Sequence, residues 1–166
     1  LESTAGLWAS SYLVLEHGVS EETAAALATL FYTGITVGRG ISGFVTYKLS
    51  DKNMIRLGQI IIAAGILLII LPFGEKTAMA GIVLVGLGCA PIYPCVIHST
   101  PAHFGVDKSQ AIVGVQMACA YIGSCFMPPL FGILANNVSV ALFAPYMALI
   151  LVVMIVAMER LNKIKE

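Results

Sequence analysis

Arg39 is the side chain in this sequence whose charge is hardest to explain by its position. It lies in the segment ITVGRGISGF, residues 35–44, and its nearest formal charges along the chain are Glu22 and Lys48. If this apolar stretch crosses a membrane, a guanidinium facing lipid costs about 3 kcal/mol, so Arg39 should avoid that environment. Three roles stay open: tying helix ends together at an inward gate, meeting a solute or a coupling carboxylate in a cavity, and snorkelling to the interface.

Glu2 is the second charged side chain that could lie at membrane depth. It precedes the apolar segment STAGLWASSYLVL, residues 3–15, so a helix that continued upstream would place its carboxyl well inside the bilayer. Carboxyls in that setting commonly carry protons in pumps and transporters. The alternative, which stays open, is that Glu2 only looks buried because the chain starts there.

Further polar and aromatic side chains within the apolar stretches could line a solute cavity. Aromatic faces stack on sugar rings, and an amide can bond hydroxyl groups, although Trp and Tyr also anchor helices at membrane interfaces. These candidates are Trp8, Tyr12, Tyr32, Tyr93, Gln116 and Tyr121.

Cysteines and histidines offer a weaker alternative chemistry. Cys95, His98 and His103 could be imagined as metal ligands, but small packing residues and loop histidines explain them better. No spaced acid, base and nucleophile is present, as an intramembrane hydrolase would need. The sequence therefore predicts neither an enzyme nor a cofactor or metal site.

The composition identifies a membrane protein. Hydrophobic residues make up 58% and charged residues 11%, against about 25% charged in soluble domains. Residues 109–158 contain no Asp, Glu, Lys or Arg in 50 positions. A helix of that length would measure about 75 Å, whereas a bilayer core is about 30 Å thick. This stretch must cross, turn at ANNVS (135–139) and cross back.

The same criteria predict an all-α, polytopic membrane helix bundle. The first of its six segments is too short to cross, so we expect it to be the truncated end of a longer helix. Ser20 should cap the second segment, Pro72 should end the third, and residues 98–109 should form a polar loop. The segments cover approximately residues 1–14, 24–47, 54–73, 77–97, 109–135 and 139–158.

Prolines and glycines predict breaks and close packing within these helices. Pro91 and Pro94 each remove a backbone donor and should break or bend the fourth segment. Pro128 and Pro129 should do the same in the fifth. Small residues let helix backbones approach closely in a membrane, and glycines are frequent in the second segment. They are Gly34, Gly38, Gly40 and Gly43.

Loop charges predict the orientation of the bundle. One end holds seven of the nine basic residues, and by the positive-inside rule it should face the cytoplasm, together with the C-terminus. The opposite end carries Lys76 among several glutamates. No polybasic block is present, so nucleic-acid binding is not predicted. The seven are Lys48, Lys52, Arg56, Lys108, Arg160, Lys163 and Lys165.

The segment GRGISGFVTYKLSDKNMIRLG, residues 38–58, resembles the cytoplasmic loop signature of the major facilitator superfamily. In that signature, a string like G-x-x-x-D-R-x-G-R-K joins two helices. Gly43, Lys48 and Lys52 match it, whereas Tyr47 replaces the usual Asp and Ser50 the usual Gly. Gly38 and Arg39 before Gly43, together with the pair Tyr93–Pro94, look most like the fucose-permease branch of sugar–proton symporters.

The resemblance implies that this chain is the C-terminal half, helices seven to twelve, of a twelve-helix carrier. In that fold two six-helix halves pack around a central cavity and rock against each other. The implied function is secondary transport of a small polar solute, such as a sugar with protons, in a bacterial plasma membrane. The implied partners are the bilayer, the solute and the missing N-terminal half. Drug or metabolite efflux and a non-transporting anchor or sensor stay as alternatives.

Overall fold

The structure, a computed structural model, describes residues 1–46, 48–71 and 73–163. Tyr47, Pro72 and Lys165, each used in the sequence analysis, lie outside the described residues. The described part is helical and contains no strand. The helices are α1 (Glu2–His17), α2 (Glu21–Val45), α3 (Asp51–Ile70), α4 (Glu75–Cys89), α5 (Ile92–Phe104), α6 (Val106–Asn137) and α7 (Phe143–Lys163), with a 3₁₀ turn at Val140–Leu142.

This arrangement confirms the predicted all-α membrane bundle. Five helical segments are long and apolar enough to span a bilayer: α2, α3, α4 together with α5, α6, and the 3₁₀ turn with α7. Helix α1 has 16 residues and is shorter than a full span. The predicted cap is present, because the Ser20 hydroxyl accepts a bond from the Thr23 amide at 3.3 Å.

The fourth predicted segment is broken where its prolines suggested. Helix α4 ends at Cys89 and α5 begins at Ile92, with Ala90 and Pro91 between them. The prediction of a polar loop over residues 98–109 was wrong. Residues up to Phe104 stay helical, and the break comes at Gly105, whose φ of 83° suits glycine.

The polar residues of this stretch are compatible with a helix because their side chains bond within it. The hydroxyls of Ser99 and Thr100 donate to the Val96 carbonyl at 3.0 and 2.9 Å. The His103 ring lies 2.7 Å from the Ser99 carbonyl. Polarity alone therefore did not indicate a loop here.

Helix α6 is not broken at its prolines, and it ends later than predicted. It runs without interruption through Pro128 and Pro129. Prolines are tolerated inside membrane helices when neighbouring groups satisfy the freed backbone. The helix also extends to Asn137, whose side-chain amide donates to the Ile133 carbonyl at 2.8 Å. The turn back toward α7 then follows at Ser139, which caps the 3₁₀ turn.

Helix α4 packs along α3 through a seam of glycines. A Cβ added at Gly58 would lie 2.6 Å from the Gly88 carbonyl oxygen, and one added at Gly65 would lie 2.7 Å from the Gly81 oxygen. The two crossings are seven residues apart on each helix, so they share one face. Because helix association in lipid depends on close packing, these glycines let the backbones of α3 and α4 come into direct contact.

The other side of α4 packs on α2. A Cβ at Gly86 would meet the Phe31 carbonyl at 2.7 Å, and one at Gly38 would meet the Ala90 side chain at 2.7 Å. Helix α1 also contacts α4, and it lies between α2 and α6. Helices α2, α1 and α6 are therefore adjacent in that order and are called the front of the bundle, whereas α3 contacts both α4 and α7.

An ion pair and a hydrogen bond join helices at one end of the bundle. Arg56 on α3 makes a bidentate contact with Glu159 on α7, with both N–O distances at 2.8 Å. Asp51 at the start of α3 lies 2.8 Å from the Nδ1 atom of His98 on α5. These contacts place Arg56, Asp51 and the end of α7 at the same end of the bundle, where the sequence analysis placed most basic residues.

Candidate functional site

Arg39 and Glu2 form an ion pair between α2 and α1. One guanidinium nitrogen lies 3.5 Å from a carboxylate oxygen, and the side chains are 51% and 38% exposed. Direct charge-assisted bonds are usually about 2.7–2.9 Å long, so this contact is loose and open. Arg39 stands six residues before Val45, about 9 Å from that end of α2, which places the pair inside the membrane-spanning region.

The ion pair lies at the depth in the bundle at which α4 ends and α5 begins. Gly38, next to Arg39, packs against Ala90 and the Leu87 carbonyl. Pro91 and Pro94 have no amide hydrogen, so the carbonyls four residues before them, at Leu87 and Ala90, lack the usual helical donor. A charged pair and two backbone carbonyls without a helical donor therefore occur at the same depth.

Helix α6 joins this level through contacts with α1. The Ser3 hydroxyl donates to the Ser124 hydroxyl at 3.0 Å. One turn farther along, the Trp8 indole nitrogen donates to the Pro128 carbonyl at 3.1 Å. The region around Glu2 is thus bordered by polar groups of α1, α2 and α6.

Helix α2 carries a polar stripe along this front. Its members are spaced three and four residues apart, which places them on one helix face. A second exposed face is apolar, with Leu30, Val37, Ile41 and Phe44, and a third is buried. The division suits a helix with one side toward lipid and another toward a polar space. The stripe consists of Thr29, Tyr32, Thr33, Thr36 and Arg39.

The predicted aromatic candidates divide between surface and core. Tyr32 on α2 and Tyr121 on α6 are exposed. Tyr93 on α5 is 40% exposed, and Trp8 is half-buried between α1 and α6. Tyr12 is 5% exposed and stacks on the Phe143 ring, because it lies on the α1 face that packs into the bundle; a role for it in a solute cavity stays a prediction.

Gln116 belongs to a different place from the Arg39–Glu2 pair. Its amide oxygen lies 3.1 Å from the Thr100 hydroxyl, which shares its one hydrogen between this oxygen and the Val96 carbonyl. It lines a small cavity, about 30 Å³, between α3, α5, α6 and α7, which Lys52 also lines. The structure therefore separates Gln116 from the charged residues with which the sequence analysis grouped it.

The residues of the loop signature also have different surroundings and do not form one site. Gly38 packs against α4, whereas Gly43 has open space around it. Lys48 is exposed in the loop between α2 and α3. The alternative of a metal site on Cys95, His98 and His103 gains no support, because His98 contacts Asp51 and His103 contacts the Ser99 carbonyl.

Some residues of the site were missed by the sequence analysis. Ser3 and Ser124 did not stand out because single serines are common in membrane helices. The threonines at positions 29, 33 and 36 carried a usable signal, since their spacing places them on the helix face of Arg39.

Comparisons with known proteins agree on the family of this fold. The sequence matches the family described as the Major Facilitator Superfamily over residues 2–163. One relative is Major facilitator superfamily domain-containing protein 4A of Xenopus tropicalis, 32% identical over 83 residues. That alignment covers 49% of this chain and 16% of the relative's length. No solved structure matches the chain significantly.

Proposed function

This chain belongs to the major facilitator superfamily, and we propose that it forms the C-terminal six-helix half of a secondary active transporter for a small polar solute. Helices α2, α3, α6 and α7 count as one span each, α4 with α5 forms a broken span, and α1 is the proposed end of the remaining one. The front made by α2, α1 and α6 is the side that meets the N-terminal half. This arrangement would place the central cavity between the two halves.

The Arg39–Glu2 pair is the observation that carries this proposal. Two half-exposed charges in an apolar bundle are unfavourable toward lipid, but they are suited to a water-filled cavity. The loose geometry leaves most of the five guanidinium donors of Arg39 open to a solute. The broken helix at the same depth is typical of transporter binding sites.

We further propose that transport is coupled to a proton gradient, as the resemblance to sugar–proton symporters implies.

We propose a hexose as the solute, in a carrier similar to the fucose-permease branch. The threonines and Tyr32 beside Arg39 offer hydroxyl groups, and exposed aromatic rings can stack on a sugar. A drug or metabolite efflux carrier is the alternative. The polar stripe on α2 favours the sugar, because an efflux carrier for apolar compounds would need a more apolar front.

We further propose that the end of the bundle with Arg56, Lys48 and the C-terminus faces the cytoplasm. Cysteines introduced at Lys48 and Lys108 should then resist a membrane-impermeant thiol reagent in whole cells, once the four native cysteines of this chain are replaced. A cysteine at Lys76 is the matched control and should react. Labelling at positions 48 and 108 from outside would contradict the orientation.

The function itself is tested by uptake into proteoliposomes. The complete carrier should accumulate labelled hexose when an inward proton gradient is imposed, and a protonophore should abolish that accumulation. Residues 1–166 alone should accumulate none, and an N-terminal half supplied as a second chain should restore uptake. Saturable uptake by monomeric residues 1–166 would refute the half-carrier proposal. Accumulation of other polar solutes, but of no hexose, would refute the sugar assignment only.

A further inference from the structure

Gly6 on α1 forms a notch that receives the side chain of Tyr32 from α2. A Cβ added at Gly6 would overlap the Tyr32 hydroxyl oxygen and lie 3.0 Å from its Cζ atom. We propose that Gly6 is a positioning residue of the transport site, because it lets the Tyr32 phenol lie across α1, where its hydroxyl bonds a solute held at the Arg39–Glu2 pair. The inference rests on the proposed function, since it assigns a further part of the same site.

Tyr32 lies near the middle of a membrane-spanning helix. Helix α2 runs from Glu21 to Val45, so Tyr32 is about 16 Å from one end and about 20 Å from the other. A tyrosine that anchors a helix lies at the membrane interface, which is not the position of Tyr32. The residue is nevertheless 50% exposed, and within residues 1–46, 48–71 and 73–163 its hydroxyl has no hydrogen-bond partner. An unbonded hydroxyl is costly in hydrocarbon, so Tyr32 is suited to a polar space.

The notch and the ion pair follow one another along the groove between α1 and α2. Glu2 and Gly6 are four residues apart on α1, and Tyr32 and Arg39 are seven apart on α2, so each of these pairs shares a helix face. Gly6 is about 6 Å from Glu2 along the helix axis. A small solute that contacts the Arg39 guanidinium is therefore within reach of the Tyr32 hydroxyl.

Gly6 differs from the glycines between α3 and α4 in what an added side chain would meet. At Gly65 and Gly81 the nearest atom is a backbone carbonyl oxygen, so an added methyl group must separate two helices. At Gly6 the nearest atoms belong to the far end of the Tyr32 side chain, which can rotate to another position. Gly6→Ala should therefore displace the phenol and leave α1 and α2 packed. The role of Gly6 is to place a side chain, and it does not depend on close contact between backbones.

The test is a double-mutant cycle of Gly6→Ala and Tyr32→Phe in the complete carrier. Each single variant should raise KM for labelled hexose about fivefold, the effect of one lost hydrogen bond, while kcat changes less than about twofold. The double variant should be no worse than Tyr32→Phe, because the hydroxyl that Gly6 positions is already absent. Gly114→Ala on α6 is the matched control and should leave both constants unchanged, since a Cβ there meets nothing within 4 Å.

A second measurement follows the Tyr32 side chain itself and needs no solute. Tetranitromethane nitrates exposed tyrosine rings, and mass spectrometry reports the rate at each position. Nitration of Tyr32 should be severalfold faster in Gly6→Ala than in the wild type, because the displaced phenol no longer lies against α1. Tyr93 and Tyr121 are exposed on other helices and should keep their rates in the same sample.

KM effects that multiply in the double variant would overturn the inference, because Gly6 would then act through helix packing and not through Tyr32. Unchanged KM in Tyr32→Phe would also overturn it, as would equal nitration of Tyr32 in Gly6→Ala and the wild type; both results leave transport intact. Absence of hexose uptake by the wild type would refute the sugar assignment. The nitration rates would still support or overturn the placement of Tyr32 by Gly6.

Discussion

Arg39→Ala should lower the initial rate of uptake by the complete carrier by roughly 100-fold, while the protein still reaches the membrane. The variant leaves the half-exposed Glu2 carboxylate without its partner in the proposed water-filled cavity. It also removes the donors proposed to bind the solute. Uptake of labelled hexose, normalised to surface expression, measures the effect.

Further variants separate the possible roles of Arg39. The exchange Glu2→Arg with Arg39→Glu should restore part of the uptake if the pair itself matters, and none if Arg39 must face the solute from α2. Arg39→Lys should retain part of the activity, because the observed contact joins one nitrogen to one oxygen and does not use the planar fork. Ile41→Ala, on the exposed apolar face of α2, controls for general disturbance of that helix. Normal uptake by Arg39→Ala would leave snorkelling as the role of this residue.

Gly65→Ala and Gly81→Ala should each destabilise the bundle by about 1–3 kcal/mol, the usual cost of overpacking. The added methyl group at Gly81 would lie 2.6 Å from the Gly65 carbonyl oxygen, so α3 and α4 must move apart. Backbone atoms cannot rotate away as a flexible side chain can. Thermal unfolding of the detergent-solubilised carrier, followed by size-exclusion chromatography, reports the loss.

The matched control for this seam is Gly123→Ala on α6. A Cβ there meets nothing within 4 Å, so the variant should be neutral or slightly stabilising, because alanine favours helix more than glycine does. Each substitution adds one methyl group, but only those at Gly65 and Gly81 should lower the stability of the bundle. Equal stability of Gly65→Ala and Gly123→Ala would show that α3 and α4 are not in close backbone contact.

The amino-acid sequence by itself determined that this protein is a helical membrane bundle. An uncharged run of 50 residues cannot remain one helix in a bilayer, and burial in lipid requires the backbone to bond internally. The break near Pro91 was also predictable, because a missing amide hydrogen acts locally. The sequence alone left open whether α6 breaks or bends at Pro128 and Pro129, and the structure shows one continuous helix there.

Only the tertiary structure decided which side chains share a site. Glu2 and Arg39 were each identified from the sequence, but their pairing depends on the antiparallel packing of α1 and α2. Tyr12 and Tyr32 both lie in apolar helices, yet one is in the core and the other on the front. Gln116 lies in a separate cavity. The physical reason is that helices in lipid are apolar nearly all round, so periodicity does not reveal the inward face, which packing alone selects.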